Sequence, residues 1–218
     1  MDAVTLFCFA PAGATTFFFR TWQRELRGSA VVVPVPYARG AGGQSTLSDV
    51  VAHASALIGP AGGPDVVFYG HSMGAMIAFE LCLLRLRAGL PSPRALIVGA
   101  AAPPGTVGHR ELCLRAARSI SASRLPDAVR DRTLEHLRML GRHVPSSGSL
   151  DVPVVGFAGT SDPLVSPQTM RGWSRTTSSW SAQHRVPGSH LFPRDRPQGF
   201  FPALIAVLSG SFASPPAA

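Results

Sequence analysis

Lysine is absent from this chain of 218 residues: all 20 of its basic side chains are arginine. With only 12 acidic residues, the formal charge is +8, and such a surface attracts acidic partners. Arginine without lysine, beside abundant Ala, Gly and Pro, reflects a GC-rich coding sequence as much as a function. No recognition helix, zinc finger or aromatic-basic motif accompanies the charge, so no nucleic-acid partner is expected. Cysteine is scarce. Cys8, Cys82 and Cys113 are odd in number and show no C-x-x-C spacing, which argues against a disulfide framework or a metal site. They read as small buried hydrophobes. No apolar run reaches the roughly 18 residues of a membrane span, so no membrane association is expected. Met1–Thr5 lacks the basic start and apolar core of a secretory signal. A cytoplasmic protein is the expectation.

Apolar residues make up 45% of the chain, enough for one globular domain with a substantial core. Short runs rich in Val, Leu and Phe read as buried strands: Thr5–Phe9, Ala30–Val35, Asp65–Tyr69, Ala95–Gly99 and Val152–Ala158, with Ser181–Val186 a weaker sixth. Helical stretches lie between them. That alternation predicts an α/β fold with a mostly parallel sheet flanked by helices. Gly74–Ala88 is apolar almost all round, as a central buried helix should be, and Gly89, Pro91 and Pro93 punctuate its end. From Ala102 to Ser149 the chain becomes polar and Arg-rich, with helical stretches about His109–Ile120 and Pro126–Leu140. This segment, 102–149, reads as a short helical lid inserted between two core strands, with an ordinary two-helix crossover as the alternative. Ser211–Ala218 reads as a frayed tail.

Gly70-His71-Ser72-Met73-Gly74 matches G-x-S-x-G, between a predicted strand and a predicted helix. A nucleophilic serine needs that setting: a strained strand-to-helix turn that exposes its hydroxyl, with small neighbours on both sides. In such folds the order is Ser, acid, His. Asp162 follows the Val152–Ala158 strand and His190 follows Ser181–Val186, so Ser72, Asp162 and His190 form the candidate triad. Asp162 is also a plausible turn residue before Pro163. Asp151 is the other carboxylate to weigh, but it precedes its strand and falls at the wrong end of a parallel sheet. His53, His109, His136, His143 and His184 lie in helical, lid or mid-strand contexts and read as structural or solvated. For an oxyanion, the Met73 N–H at the start of the helix is the first candidate donor. A second is expected from the turn Phe9–Gly13; Pro11 has no N–H, so Ala12 is the candidate, with Gly13 next.

Four ordered segments resemble one family. Leu6–Gly13 with Phe19-Arg20-Thr21-Trp22, Gly70–Ala75 with Ala78-Phe79-Glu80-Leu81, Gly159–Pro167 and Pro187–Phe192 are similar to the type II thioesterases that serve polyketide synthases and nonribosomal peptide synthetases. The resemblance implies an α/β-hydrolase fold and hydrolysis of acyl thioesters on acyl or peptidyl carrier proteins. The acyl group is carried on the carrier's phosphopantetheine, and the enzyme itself uses no metal or organic cofactor. Carrier proteins are usually acidic, which gives the +8 charge a partner. The chain departs from the family pattern in several places. Tyr37-Ala38-Arg39-Gly40 stands for a Pro-Gly-Arg-Gly loop, and Gly188-Ser189-His190 for Gly-Gly-His. The lid segment is shorter and more basic, and Leu137–Gly141 matches either its first or its last part. Three other readings stay open: a trans-acting cyclase or acyltransferase capturing the same acyl-serine, a general carboxylesterase, and a non-catalytic binding protein on a hydrolase fold.

Overall fold

A computed structural model describes residues 3–37, 46–179 and 181–210. The tail Ser211–Ala218 and the Ala38-Arg39-Gly40 part of the shortened loop lie outside them. Along the chain come β1 (Val4–Phe9), α1 (Trp22–Glu25), β2 (Ala30–Pro34), α2 (Leu47–Ile58), β3 (Gly63–His71) and α3 (Met73–Arg87). They are followed by β4 (Pro93–Gly99), α4 (His109–Ser121), α5 (Asp127–Arg142) and β5 (Val154–Gly159). The last are α6 (Pro167–Met170), β6 (Ser181–Val186), α7 (Phe192–Asp195) and α8 (Pro197–Ser209). All six predicted strands form, β6 with the predicted ends. The strands order as β2-β1-β3-β4-β5-β6, and every neighbouring pair is parallel.

The sheet is buried on both faces because helices cross over it between parallel strands. One face packs Phe9, Phe68, Leu96 and Val154 beneath α2 and α3. The other packs Leu6, Tyr69, Ile97 and Phe157 against Trp22 and against Phe200 and Leu204 of α8. Helix α3 is buried at every residue from Met73 to Leu83, which explains its lack of an apolar stripe. Helices α4 and α5 pack chiefly on each other, burying only Cys113 and Ala116 of the one and Thr133, Leu137 and Leu140 of the other. The apolar stripe of α5 is thus Leu137 and Leu140 with Thr133 one turn before, while Val129 and Leu134 are half-buried. Among the described residues no helix is long and apolar enough to cross a membrane.

After β1 the chain runs to the edge strand β2 and then returns past β1 to β3. The loops after β1 and β3 therefore diverge at the carboxyl end of the sheet, where parallel sheets open a crevice. Ala12 and Ser72 sit on those two loops.

Candidate active site

Ser72 follows β3 and caps α3 with φ 54° and ψ −117°, a left-handed conformation that a non-glycine residue adopts only under constraint. The constraint is visible. The Ser72 N–H donates to the Gly99 carbonyl at 2.7 Å, and its own carbonyl accepts from Ala75 N–H at 3.0 Å. Two close backbone approaches make the turn possible: a Cβ at Gly70 would run into Gly74 and Ala75, and one at Gly74 into the Phe9 carbonyl. The Gly74 contact also brings the start of α3 against the end of β1.

The structure brings the three predicted triad residues together. His190 Nε2 lies 3.0 Å from Ser72 Oγ, and His190 Nδ1 lies 2.9 Å from Asp162 Oδ2. The other Asp162 oxygen accepts from the Leu164 and Val165 N–H groups at 2.8 and 3.1 Å. The Asp162 side chain is fully buried. Burial alone would raise its carboxyl, but the His190 contact and the two backbone donors outweigh it and hold the group below the ordinary aspartate value. Asp162 is thus an anion that can only accept, so His190 Nδ1 carries the proton and Nε2 presents its lone pair to Ser72. Asp151 is exposed, ahead of β5 at the far end of the sheet.

Sequence reasoning missed one pair. His71, the variable residue before the serine, is completely buried, and its Nε2 lies 2.7 Å from the His190 carbonyl oxygen. Its Nδ1 lies 2.8 Å from Tyr69 Oη. Burial, and then the neighbouring His190 ring, lower the His71 pKa to about 3 against the opposing pull of the His190 carbonyl and Asp162. The ring is therefore neutral. Since a carbonyl only accepts, Nε2 holds the hydrogen and Nδ1 receives the Tyr69 hydroxyl, whose pKa burial pushes up. Tyr69 and His71 thus fasten the backbone of the triad histidine to the strand that carries the serine. Alternating inward positions on one strand were the available signal.

One oxyanion alternative drops out. Met73 is the first residue of α3, where backbone N–H groups have no intrahelical acceptor. Ala12 lines the same cavity as Ser72 and His190. Gly13, the second choice in that turn, is ruled out because its N–H donates to His136 Nδ1 at 3.1 Å.

That cavity measures about 340 Å³, near the lower end of the about 300–1,000 Å³ usual for ligand pockets. Ser72 and His190 lie in its wall beside Met76 and Leu164, and α4 and α5 supply Leu112, Cys113, Ile120, Leu137 and Leu140. The lining is almost wholly apolar, suited to a hydrocarbon chain.

A family model described as a thioesterase domain matches residues 4–138, more than half of the chain. The chain belongs to the thioesterase domain family. It is accordingly a hydrolase. The match includes Ser72 and stops before Asp162 and His190, which the tertiary structure adds. This thioesterase is 26% identical over 215 residues to thioesterase TesA of Mycobacterium leprae, covering 86% of this chain and 80% of TesA. Among solved structures, RedJ, a thioesterase from the prodiginine biosynthetic pathway in Streptomyces coelicolor, superposes with a TM-score of 0.78 at 27% identity. The match covers 95% of this chain and 85% of RedJ. ClbQ, from the colibactin NRPS/PKS pathway, gives a TM-score of 0.81 at 20% identity over 95% and 97% of the two chains, a likeness of fold. The six-stranded thioesterase scaffold is the α/β-hydrolase architecture that the motifs predicted.

Proposed function

We propose that this thioesterase hydrolyses acyl thioesters borne on the phosphopantetheine arm of acyl or peptidyl carrier proteins, editing or releasing chains in polyketide or nonribosomal peptide assembly. The observation that carries the reading is the Ser72–His190–Asp162 alignment at one wall of an apolar chamber. His190 Nε2 takes the Ser72 proton as Oγ attacks the thioester carbonyl. The tetrahedral oxygen is met by the N–H groups of Met73 and Ala12. As the C–S bond breaks, imidazolium His190 returns its proton to the leaving thiolate, while Asp162 stabilises the charged ring. Water, deprotonated by the same nitrogen, then cleaves the acyl-serine to free acid and serine. Protein groups suffice for every step, with no metal or organic cofactor.

In this reading α4 and α5 are the lid of the acyl chamber. Exposed Arg110, Arg115, Arg124 and Arg138 on or beside that helical pair offer an acidic carrier a landing surface of opposite charge. Such docking takes place in the cytoplasm. The names of the relatives support the reading, since RedJ, ClbQ and the thioesterase PikA5 of Streptomyces venezuelae are named for thioesterase activity or for such pathways.

The test is mass spectrometry of carrier proteins bearing short and long acyl chains, incubated with wild type and Ser72→Ala. Free acid and free-thiol carrier with wild type alone are expected. Loss of acyl groups with a cyclised or transferred product would replace hydrolysis by intramolecular or intermolecular capture. Equal turnover by Ser72→Ala would end the serine mechanism.

A further inference from the structure

The turn after β1 is gripped from outside the sheet by little more than one turn of a single helix, α5. Arg132 Nε donates to the Gly13 carbonyl at 2.8 Å, and His136 Nδ1 accepts from the Gly13 N–H at 3.1 Å. These two α5 residues are spaced i, i+4 and so share a face. Between them Thr133 presses on the same glycine so closely that a Cβ there would overlap its side chain. Gly13 also has φ +77°, so only glycine allows both the turn and the contact. The rest of the turn is equally engaged. The Ala10 carbonyl accepts from Tyr37 Oη at 2.7 Å, and the Pro11 carbonyl from Ala14 N–H at 3.1 Å.

We propose that Arg132 and His136 are positioning residues for the oxyanion hole: by holding Gly13, they fix the Ala12 N–H, so the hole is complete only while α5 is seated. The inference rests on the reading of Ala12 as an oxyanion donor. Its basis is local geometry. Among the described residues, the peptide planes around Ala12 are fixed on one side by the Ala14–Pro11 bond within the turn and on the other by α5. Thr133 at the centre of the grip also faces the acyl chamber. One helix thus touches both the acyl chain and the turn that stabilises charge on its carbonyl. A helix serving only as a chamber wall would need apolar contact and no pair of directed bonds to a single glycine. Seating of α5 over a bound chain would then switch on chemistry as well as exclude water.

The experiment compares wild type, His136→Leu, His136→Asn and Arg132→Lys on a small acyl thioester, measuring kcat and KM. It also measures affinity for an acyl trifluoromethyl ketone, which forms a tetrahedral adduct with the serine. Losing an oxyanion donor costs about 100- to 1,000-fold, so a misplaced one in His136→Leu is expected to lower kcat roughly 10- to 100-fold. KM should stay within about threefold, and ketone affinity should weaken in step with kcat. His136→Asn, whose Oδ1 can accept from Gly13, should recover most of the loss, and Arg132→Lys, which keeps a donor, should stay within a few fold of wild type. A raised KM with kcat and ketone affinity intact would overturn the proposal and leave α5 a wall. So would His136→Asn as impaired as His136→Leu. Wild type inactive on every acyl thioester would strike the proposed function instead.

Discussion

Helices α3 and α5 are nearly equal in length, 15 and 16 residues, yet they are attached to the molecule by different physics. Helix α3 is sunk between the sheet and α2 with apolar contact on nearly every side. Helix α5, with α4, rests on the same body through a narrow apolar stripe and a few polar pins. Two pins reach Gly13. Another pair lies at the C-terminal end, where Glu80 of α3 accepts from Ser146 N–H at 2.8 Å and meets His143 Nε2 at 2.8 Å. Burial would raise the Glu80 carboxyl, but these partners hold it below its ordinary value. Apolar packing is non-directional and adds up over area, whereas a pin is all-or-none. The serine therefore sits on the part held by apolar packing, and the chamber wall on the part held by a few directed bonds.

The largest effect should come from the rigid side. Asp162→Asn is expected to lower kcat by about 10³- to 10⁴-fold, because the wrong His190 tautomer faces Ser72, with circular dichroism and melting temperature little changed. An active Asp162→Asn beside an impaired Asp151→Asn would move the acid to the other end of the sheet. Next, Leu96→Ala in β4 should cost about 3–5 kcal/mol of stability by denaturant melts. Leu137→Ala, bordering space that already exists, should cost about 2 kcal/mol or less and shift preference toward bulkier acyl chains. Equal costs would erase the distinction between core and helical pair.

A pH experiment sharpens the same contrast. His71 is neutral in the fold with a pKa near 3 against 6.5 for a free histidine, so unfolding takes up a proton in acid. Its stabilising contribution is complete above pH 6.5 and is lost as the pH falls toward about 3. The slope is at most about 1.4 kcal/mol per pH unit. His71→Phe should flatten the acid limb of the stability curve, and an unchanged limb would mean that His71 is already charged in the fold. The smallest effect belongs to the surface of α4. Removing the exposed Arg118–Glu111 pair with Arg118→Ala should change stability by about 0.5 kcal/mol or less.

Much of this was legible in the sequence because period and punctuation carry it. The strands announced themselves as short runs of Val, Leu and Phe. The elbow needed two glycines at fixed offsets, and the acid and histidine followed strands in the expected order. What escaped was tertiary. His71 looked like the spacer of a motif, since nothing local shows that its ring meets the carbonyl of a residue far along the chain. Glu80, the lone carboxylate of α3 and set amid its apolar stretch, was a readable clue, because a buried charge demands a partner. Its partner's position was not. His136 and His143 were grouped as structural or solvated, and both turned out to be structural, pinning the helical pair to the body.

The three cysteines give this arrangement a use. Cys8 in β1 and Cys82 in α3 are shut inside the two faces of the sheet, whereas Cys113 of α4 borders the acyl chamber, its thiol pushed up to about 11 by burial. A thiol-reactive dye can reach the first two only when the whole molecule opens, but the third whenever the helical pair rises. Labelling followed by peptide mapping would therefore run two clocks on one unaltered chain. One would keep time for the door and the other for the house.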